Sequence, residues 1–496
     1  MNSQSEIKLV LAMVVFLVAA NQLQAGVDES TSEEAHRIDL RQAISIALQK
    51  SLVLKEASLD LEIARGQVRE AWSNVLPSVT ASASYSRSII PQSIFLPAEF
   101  TGMVDSNGVS SGELKPVQIG ADNIYEARLR VNQPVFDVRA FVGVGASARY
   151  RDLQLEVLRG TTQLVVTQVR QAYLNALLAH EQVRLTEESL ERVRQTLAEA
   201  TALNRSGLTS DYDVLRLVVQ ESNLDAELHR ARIGEAAARR NLLVDLGMPP
   251  DQGIELEGNL SELDLQDLAN NSAGNKILLE MVGFHGDATP RIEPVLQDAL
   301  VGRSDLQQNK LATSLERARL TAQWSEFFPT VSVFYNHSIS VQQMGDPDPW
   351  ALGSAAQAEL SLAGINLEIP LFSGFGKTAR LQQRRAALRQ SQVRRRRLEL
   401  SATSQVHTLL SDLEDSRYRA ESQLKALGQA RRGYEIATAE YRSGLGSQLQ
   451  ITDAEVALRQ SEFNYSSTVY EYLLVRTQLD IATGAVPINL EDLELQ

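Results

Sequence analysis

Two periodicities alternate along this chain. From Asp39 to about Val75, Ile44, Leu48, Leu52, Leu59 and Ile63 recur at helical spacing, and Pro77 ends the run. The period then becomes two. Val79, Ala81, Ala83 and Tyr85 alternate with Thr80, Ser82 and Ser84, which predicts a strand over 79–85. A second strand is expected over 125–132, where Tyr125, Ala127, Leu129 and Val131 alternate with Glu126, Arg128, Arg130 and Asn132. The same order returns later. Helical spacing runs from Ile292 to Phe328, Pro329 stops it, and strands are expected over 331–339 and 363–369. Polar loops rich in Pro, Gly and Ser join each pair, Ile89–Asn123 and Gln342–Ala356.

Each strand pair leads into a very long helical pattern. Val169, Ala176, Val183, Leu190 and Leu197 recur every seventh residue, as do Val406, Leu413, Ala420, Leu427 and Tyr434. Such a repeat is read as a supercoil, though an antiparallel bundle also carries heptads. The arm from about Thr378 to Tyr441 would be roughly 95 Å long at helical rise. It ends at Tyr441-Arg-Ser-Gly-Leu-Gly-Ser447, where Gly444 and Gly446 supply a turn and Ser447 can cap the next helix.

This hairpin tip occurs twice. Arg205, Ser206, Gly207 and Leu208 match Arg442, Ser443, Gly444 and Leu445 at a separation of 237 residues (442 less 205). Gly247 and Pro250 match Gly484 and Pro487 at the same separation, and Trp72 and Pro77 match Trp324 and Pro329 at a wider one. The chain is a tandem duplication. The expected division is a signal peptide at 1–25, a first repeat at 26–250, a linker with short elements at 251–290, a second repeat at 291–487 and a tail at 488–496.

Composition narrows the class. Of 496 residues only 5% are aromatic, which suits long helices better than a bulky core. The net charge of −14 argues against a nucleic-acid partner. There is no cysteine, hence no disulfide, thiolate metal site or lipid-modified N-terminal Cys. Lys8, the apolar run Leu9–Ala20 and Gln-Leu-Gln-Ala25 read as a secretory leader. No later run is long enough for a transmembrane helix. No His-Glu-x-x-His or phosphate-loop pattern is present, so neither catalysis nor a cofactor is expected. The Arg394–Arg397 run and pairs such as Glu187-Glu188 read as solvated helix faces.

The strands fit either a half-buried sheet or transmembrane strands. Four strands cannot close a barrel in lipid, where an open edge leaves backbone groups unpaired, so membrane-spanning strands require several chains.

In their order and duplication, Leu76-Pro77, Phe328-Pro329, Gln133-Pro134-Val-Phe136, Ile369-Pro370-Leu-Phe-Ser-Gly374 and Glu440-Tyr-Arg-Ser-Gly444 with Asp453-Ala-Glu455 resemble the TolC family of outer-membrane efflux proteins. The resemblance covers nearly all of the chain after the leader. It implies a mainly α fold with β: tandem-duplicated long helical hairpins plus four transmembrane β-strands, and a homotrimer whose 12-stranded β-barrel continues into an α-helical barrel. It implies a passive exit duct in the outer-membrane lipid, docked on a periplasmic adaptor and an inner-membrane pump or ABC-type exporter. Two rivals stand beside it. An adaptor or coiled-coil scaffold would carry one hairpin in a split β-domain, and a trimeric adhesin would need no internal duplication.

The resemblance also nominates residues. The family's closed tip is held by an acidic residue of the first tip against a Tyr and an Arg of the second. Asp213 and Tyr441 stand at the matching positions, but Gly446 replaces the Arg. Of two lumen-facing Asp positions, Gln450 occupies the first and Asp453 the second, so a ring of three Asp453 carboxylates is implied. The plainer readings are that Asp213 complements the helix N-terminus and that Asp453 is a surface carboxylate. The two Arg-Ser-Gly-Leu tips are the candidates for adaptor docking.

Overall fold

The computed structural model describes residues 36–90, 93–97, 114–118, 120–265, 268–284, 291–347 and 356–486. The leader and the C-terminal tail expected from sequence lie outside these residues. In chain order the elements are β1 (His36–Ile38), α1 (Leu40–Lys50), α2 (Leu52–Ser73), β2 (Ser78–Arg87), β3 (Ser93–Pro97), β4 (Leu114–Gln118) and β5 (Asn123–Phe136). Next comes the first hairpin, α3 (Val138–Arg205) and α4 (Asp211–Asp245), then β6 (Ile254–Leu256) and α5 (Ala273–Met281). The second repeat gives α6 (Ile292–Gly302), α7 (Ser304–Ser325), β7 (Thr330–Gln343), β8 (Ala356–Glu368), α8 (Gly376–Arg442) and α9 (Gln448–Thr483).

The four expected strands form one antiparallel sheet in the order β2-β5-β7-β8. Its register separates two faces. Tyr125, Ala127, Leu129 and Val131 pair with Tyr85, Ala83, Ala81 and Val79, while Glu126, Arg128 and Arg130 pair with Ser84, Ser82 and Thr80. The apolar face continues through Tyr335, Val333 and Val331 to Ala363, Ile365 and Leu367. In the first half of β8 the pattern inverts. Glu359 and Ser361 fall on the apolar face beside His337, whose Nδ1 lies 2.9 Å from the Ser361 hydroxyl. Among the described residues β2 and β8 each pair on one side only. The loop between β2 and β5 holds the hairpin β3–β4, which its irregular composition concealed.

The arms reach the expected length. At 68 and 67 residues, α3 and α8 are each about 100 Å long. The heptad positions Val169, Ala176, Val183, Leu190, Val406, Leu413, Ala420 and Leu427 are all buried. Among the described residues no helix is long and apolar enough to cross a membrane.

The helices expected as continuous over 39–75 and 292–328 are each broken once, at Ser51 and at Arg303, both extended. The break has a packing cause. At the first, the backbone of Lys50 meets Gly247, which closes α4; at the second, the backbone of Gly302 meets Gly484, which closes α9. Both glycines are left-handed, with φ of 70° and 72°. A Cβ on Gly247 would stand 2.5 Å from the Lys50 carbonyl oxygen, and one on Gly484 2.3 Å from that of Gly302. Ser51 accepts from the Leu54 amide and so caps α2. The conformation therefore satisfies the new helix start while making room for the incoming helix end.

The stretch between the repeats is packed. Strand β6 pairs in parallel with β1, and Leu260, Leu263, Leu278 and Leu279 join the main core with α3 and α9. Tyr173 of α3 is its anchor. The fully buried phenol oxygen accepts from the Glu257 amide (3.0 Å) and shares its one proton between the carbonyl oxygens of Glu257 (2.6 Å) and Ile38 (2.9 Å), and burial raises its pKa above the ordinary phenol value.

Candidate functional site

The two tips are built alike. At the first, Gly207 takes φ 73°, its amide bonds the Asn204 carbonyl (2.8 Å), and the Leu208 amide bonds that of Leu203 (3.0 Å). At the second, Gly444 takes φ 76°, with matching bonds from its own amide to Tyr441 (3.0 Å) and from Leu445 to Glu440 (2.9 Å). Each is a glycine-closed helix end in which the last carbonyls regain partners. Ser210 then caps α4 through the Tyr212 amide, and Ser447 with Gln450 forms a capping box on α9. Both turns expose Arg205, Ser206, Gly207, Leu208 and Arg442, Ser443, Gly444, Leu445 to solvent.

The nominated latch residues are placed differently. Asp213 lies in the first turn of α4, half-buried. Tyr441 is buried against Ala437 and Ile451, with Leu203 of the other hairpin packed on the cluster. Among the described residues the Tyr441 hydroxyl has no hydrogen-bond partner, so it is not bonded to Asp213. Gly446 is crowded: a Cβ there would stand 3.0 Å from both the Glu440 Cβ and the Tyr441 amide nitrogen. A longer side chain would press on the last turn of α8. Gln450 is engaged as the capping partner of Ser447, accepting from its amide at 2.7 Å. Asp453 is exposed one turn into α9. The two hairpins meet near the tips through Arg442, which donates to Glu199 of α3 at 2.8 Å.

A larger contact lies further along the arms, unmarked in the sequence. Glu455 of α9 is 2% exposed and accepts from the Ser189 hydroxyl, from Arg192 (3.4 Å) and from Gln220 of α4 (3.3 Å). Arg192 also donates to Glu462 (3.2 Å), one further turn-pair along α9, and its guanidinium lies over the Tyr434 ring of α8. Ser466 reaches Glu181 at 3.4 Å, and Glu181 is gripped by Arg184, which also donates to Ser261 of the inter-repeat stretch. Burial lifts the Glu462 carboxyl above its ordinary value against the pull of Arg192. All four long helices thus meet at one charged, largely dry contact. Only the spacing of Glu455 and Glu462, seven apart on one helix face, could have marked it.

A two-faced sheet joined to hairpins of about 100 Å defines the class: outer-membrane channels that extend into the periplasm as a helical tunnel. The chain belongs to the outer membrane efflux protein family, whose model matches residues 43–246 and 295–485, one block in each repeat. It is 20% identical to outer membrane protein TolC of Escherichia coli over 444 residues, covering 89% of this chain and 80% of that protein. It is 22% identical to the cobalt-zinc-cadmium resistance protein CzcC of Cupriavidus metallidurans, covering 96% and 99%. Its fold superimposes on the Campylobacter jejuni CmeC outer membrane channel with a TM-score of 0.71 at 14% identity, covering 96% of each chain. The protein is an outer-membrane exit channel for efflux or secretion, a conduit and not an enzyme.

Proposed function

We propose that three copies of this chain close one passive duct that serves a tripartite efflux or type I secretion system. The sheet, whose two edges are unpaired among the described residues, carries this reading. In lipid those edges leave amides and carbonyls without partners, and three four-stranded sheets joined edge to edge remove every one of them. The resulting twelve-stranded barrel would set its apolar face, with Leu129, Tyr335 and Ile365, against lipid, and line its lumen with Arg128 and Arg130.

Residues 26–250 and 291–487 then act as two staves per copy, bridged by 251–290. The exposed Leu208 and Leu445 tips are the docking points for a periplasmic adaptor, which connects the duct to an inner-membrane pump or ABC-type exporter. Asp453 would form a ring of three carboxylates near the periplasmic mouth, and Gln450 would hold the helix start beside it. Tyr441 and Asp213 would act at the mouth through contacts that a neighbouring copy completes, since the Tyr441 hydroxyl has no partner among the described residues.

The test is extraction from outer membranes followed by electrophoresis and planar-bilayer recording. A heat-modifiable, SDS-resistant trimer with a stable single-channel conductance is expected. A soluble, compact monomer would refute the proposal.

A further inference from the structure

The junction between β8 and α8 presents a patch that the duct reading leaves unused. Leu371 is 91% exposed, Phe372 78% and Phe375 76%. Among the described residues Phe375 is the one non-glycine in the left-handed region, at φ 62°. That backbone sets its ring edge-on to Phe372, with centroids 5.6 Å apart and planes at 88°. Trp324 and Phe327, paired at 5.8 Å, stand exposed at the end of α7. The patch lies where β8 leads into α8 and α7 leads into β7, the end of the sheet that the duct reading turns toward the periplasm, where aromatic side chains meet the lipid boundary.

The first turns of α8, next along the chain, carry charge of one sign. From Lys377 to Arg397 there are nine Lys or Arg and no Asp or Glu; the first carboxylate is Glu399. The start of α3, at the same level of the first repeat, mixes Arg139, Arg149 and Arg151 with Asp137 and Asp152. Two of the α8 cations are mounted on the aromatic patch itself. The Lys377 ammonium lies 5.9 Å from the Phe327 ring centre, and the Arg385 guanidinium 5.4 Å from that of Trp324. Lys377 through Arg385 span about 12 Å of helix, enough to reach through a headgroup layer of roughly 5–8 Å. The neighbouring carboxylate, Glu326, is taken by Arg380 at 2.8 Å. Arg384 and Arg385 make no ion pair with a carboxylate among the described residues.

We infer that Phe372, Phe375 and Trp324, with Lys377, Arg384 and Arg385, form a binding surface for anionic phospholipids of the inner leaflet. The rings enter the acyl region while the cations take the phosphodiester headgroups. The inference rests on the sheet spanning the outer membrane.

Trp324 supplies the probe. A Trp72→Phe, Trp350→Phe variant leaves it as the one tryptophan, and its fluorescence is measured in vesicles containing brominated phosphatidylglycerol or brominated phosphatidylethanolamine. Phosphatidylglycerol should quench with a relative affinity several-fold higher at low salt. The preference should collapse toward unity in Arg384→Gln, Arg385→Gln and at about 0.5 M salt, where charges are screened within a few ångströms. The Arg384→Lys, Arg385→Lys protein should keep it, and retention of the SDS-resistant trimer certifies each variant as folded. Equal quenching by both lipids, or a preference that survives the glutamines, overturns the headgroup selection and leaves the membrane placement standing. Quenching by neither overturns both, because the patch is then covered by a neighbouring copy.

Discussion

Replacing Arg192 with leucine isolates the charged contact between the hairpins. The substitution removes the cation shared by Glu455 and Glu462, which are 2% and 7% exposed. Breaking a buried pair from one side typically costs about 3–5 kcal/mol, because the orphaned charge stays desolvated. The Arg192 side chain is 18% exposed, and Glu455 keeps Ser189 and Gln220, so the lower end, about 3 kcal/mol, applies. That lowers the local opening energy of α9 and should speed amide hydrogen exchange in peptides covering residues 448–466 by roughly a hundredfold. Exchange in the β-sheet should not change. Arg194→Leu, two residues on, removes an exposed contact to Glu221 and should alter exchange by no more than about threefold. Leucine at 192, 455 and 462 together should recover most of the lost protection, since a dry apolar contact of similar volume replaces the ion cluster. Equal exchange in Arg192→Leu and Arg194→Leu would refute the reasoning, as would a triple variant as labile as the single one.

The same geometry sets further outcomes. Because the folded state holds a proton on Glu462 more tightly than the unfolded chain does, its contribution to stability is greatest below the ordinary carboxylate value and is lost as pH rises through the lifted one. The opening energy of α9 should therefore fall as pH climbs through the weakly acidic range, and Glu462→Gln should abolish that slope. Gly484→Ala should prevent trimer formation in the heat-modifiability assay, since its Cβ would fall 2.3 Å from the Gly302 carbonyl oxygen; Gly207→Ala, with open space around it, should cost only the left-handed backbone strain of about 1–2 kcal/mol and still assemble. Asp453→Ala should weaken block by trivalent cations in planar bilayers, and unchanged block would remove that carboxylate from the conduction path.

How much was legible depends on whether a neighbour three or more elements away decides the outcome. The strand alternation at 79–85 and 125–132, the proline stops and the heptads are local patterns, and each corresponds to an observed element. The glycine turns at 207 and 444 were legible for the same reason. The breaks at Ser51 and Arg303 were not, because apolar spacing continues through them and the cause is a glycine some 180–200 residues away. Carboxylates divide likewise. Glu187, read as solvated, pairs with Arg232 on the exposed face. Glu181, Glu455 and Glu462 sit in similar sequence surroundings, yet the packing of the two hairpins on each other buries them. The latch residues Asp213 and Tyr441 were nominated by resemblance alone, and among the described residues the Tyr441 hydroxyl makes no hydrogen bond to Asp213.

The charged contact also breaks the symmetry that the duplication creates. Stepping by 237 residues, the counterpart of Arg192 is Gln429 and that of Glu455 is Val218. Within one chain α3 meets α9 through ions. In a closed ring of three duplicated copies, the equivalent seam would be α8 of one copy against α4 of the next, and there the arginine and the first carboxylate become an amide and a valine, leaving Asp225, the counterpart of Glu462, without a matching cation at position 429. Gln429 and Val218 are both exposed in the single chain, as residues awaiting a neighbour would be. The seam between copies should therefore be the weaker one, and widening of the mouth should begin there. Gln429→Arg with Val218→Glu would copy the ion pair onto that seam. The paired variant should lower single-channel conductance relative to the parent at low salt and recover it as salt is raised, while either substitution alone should not. Identical conductance in the parent and the paired variant would mean that the two seams open together, and that the asymmetry of charge does not direct the motion.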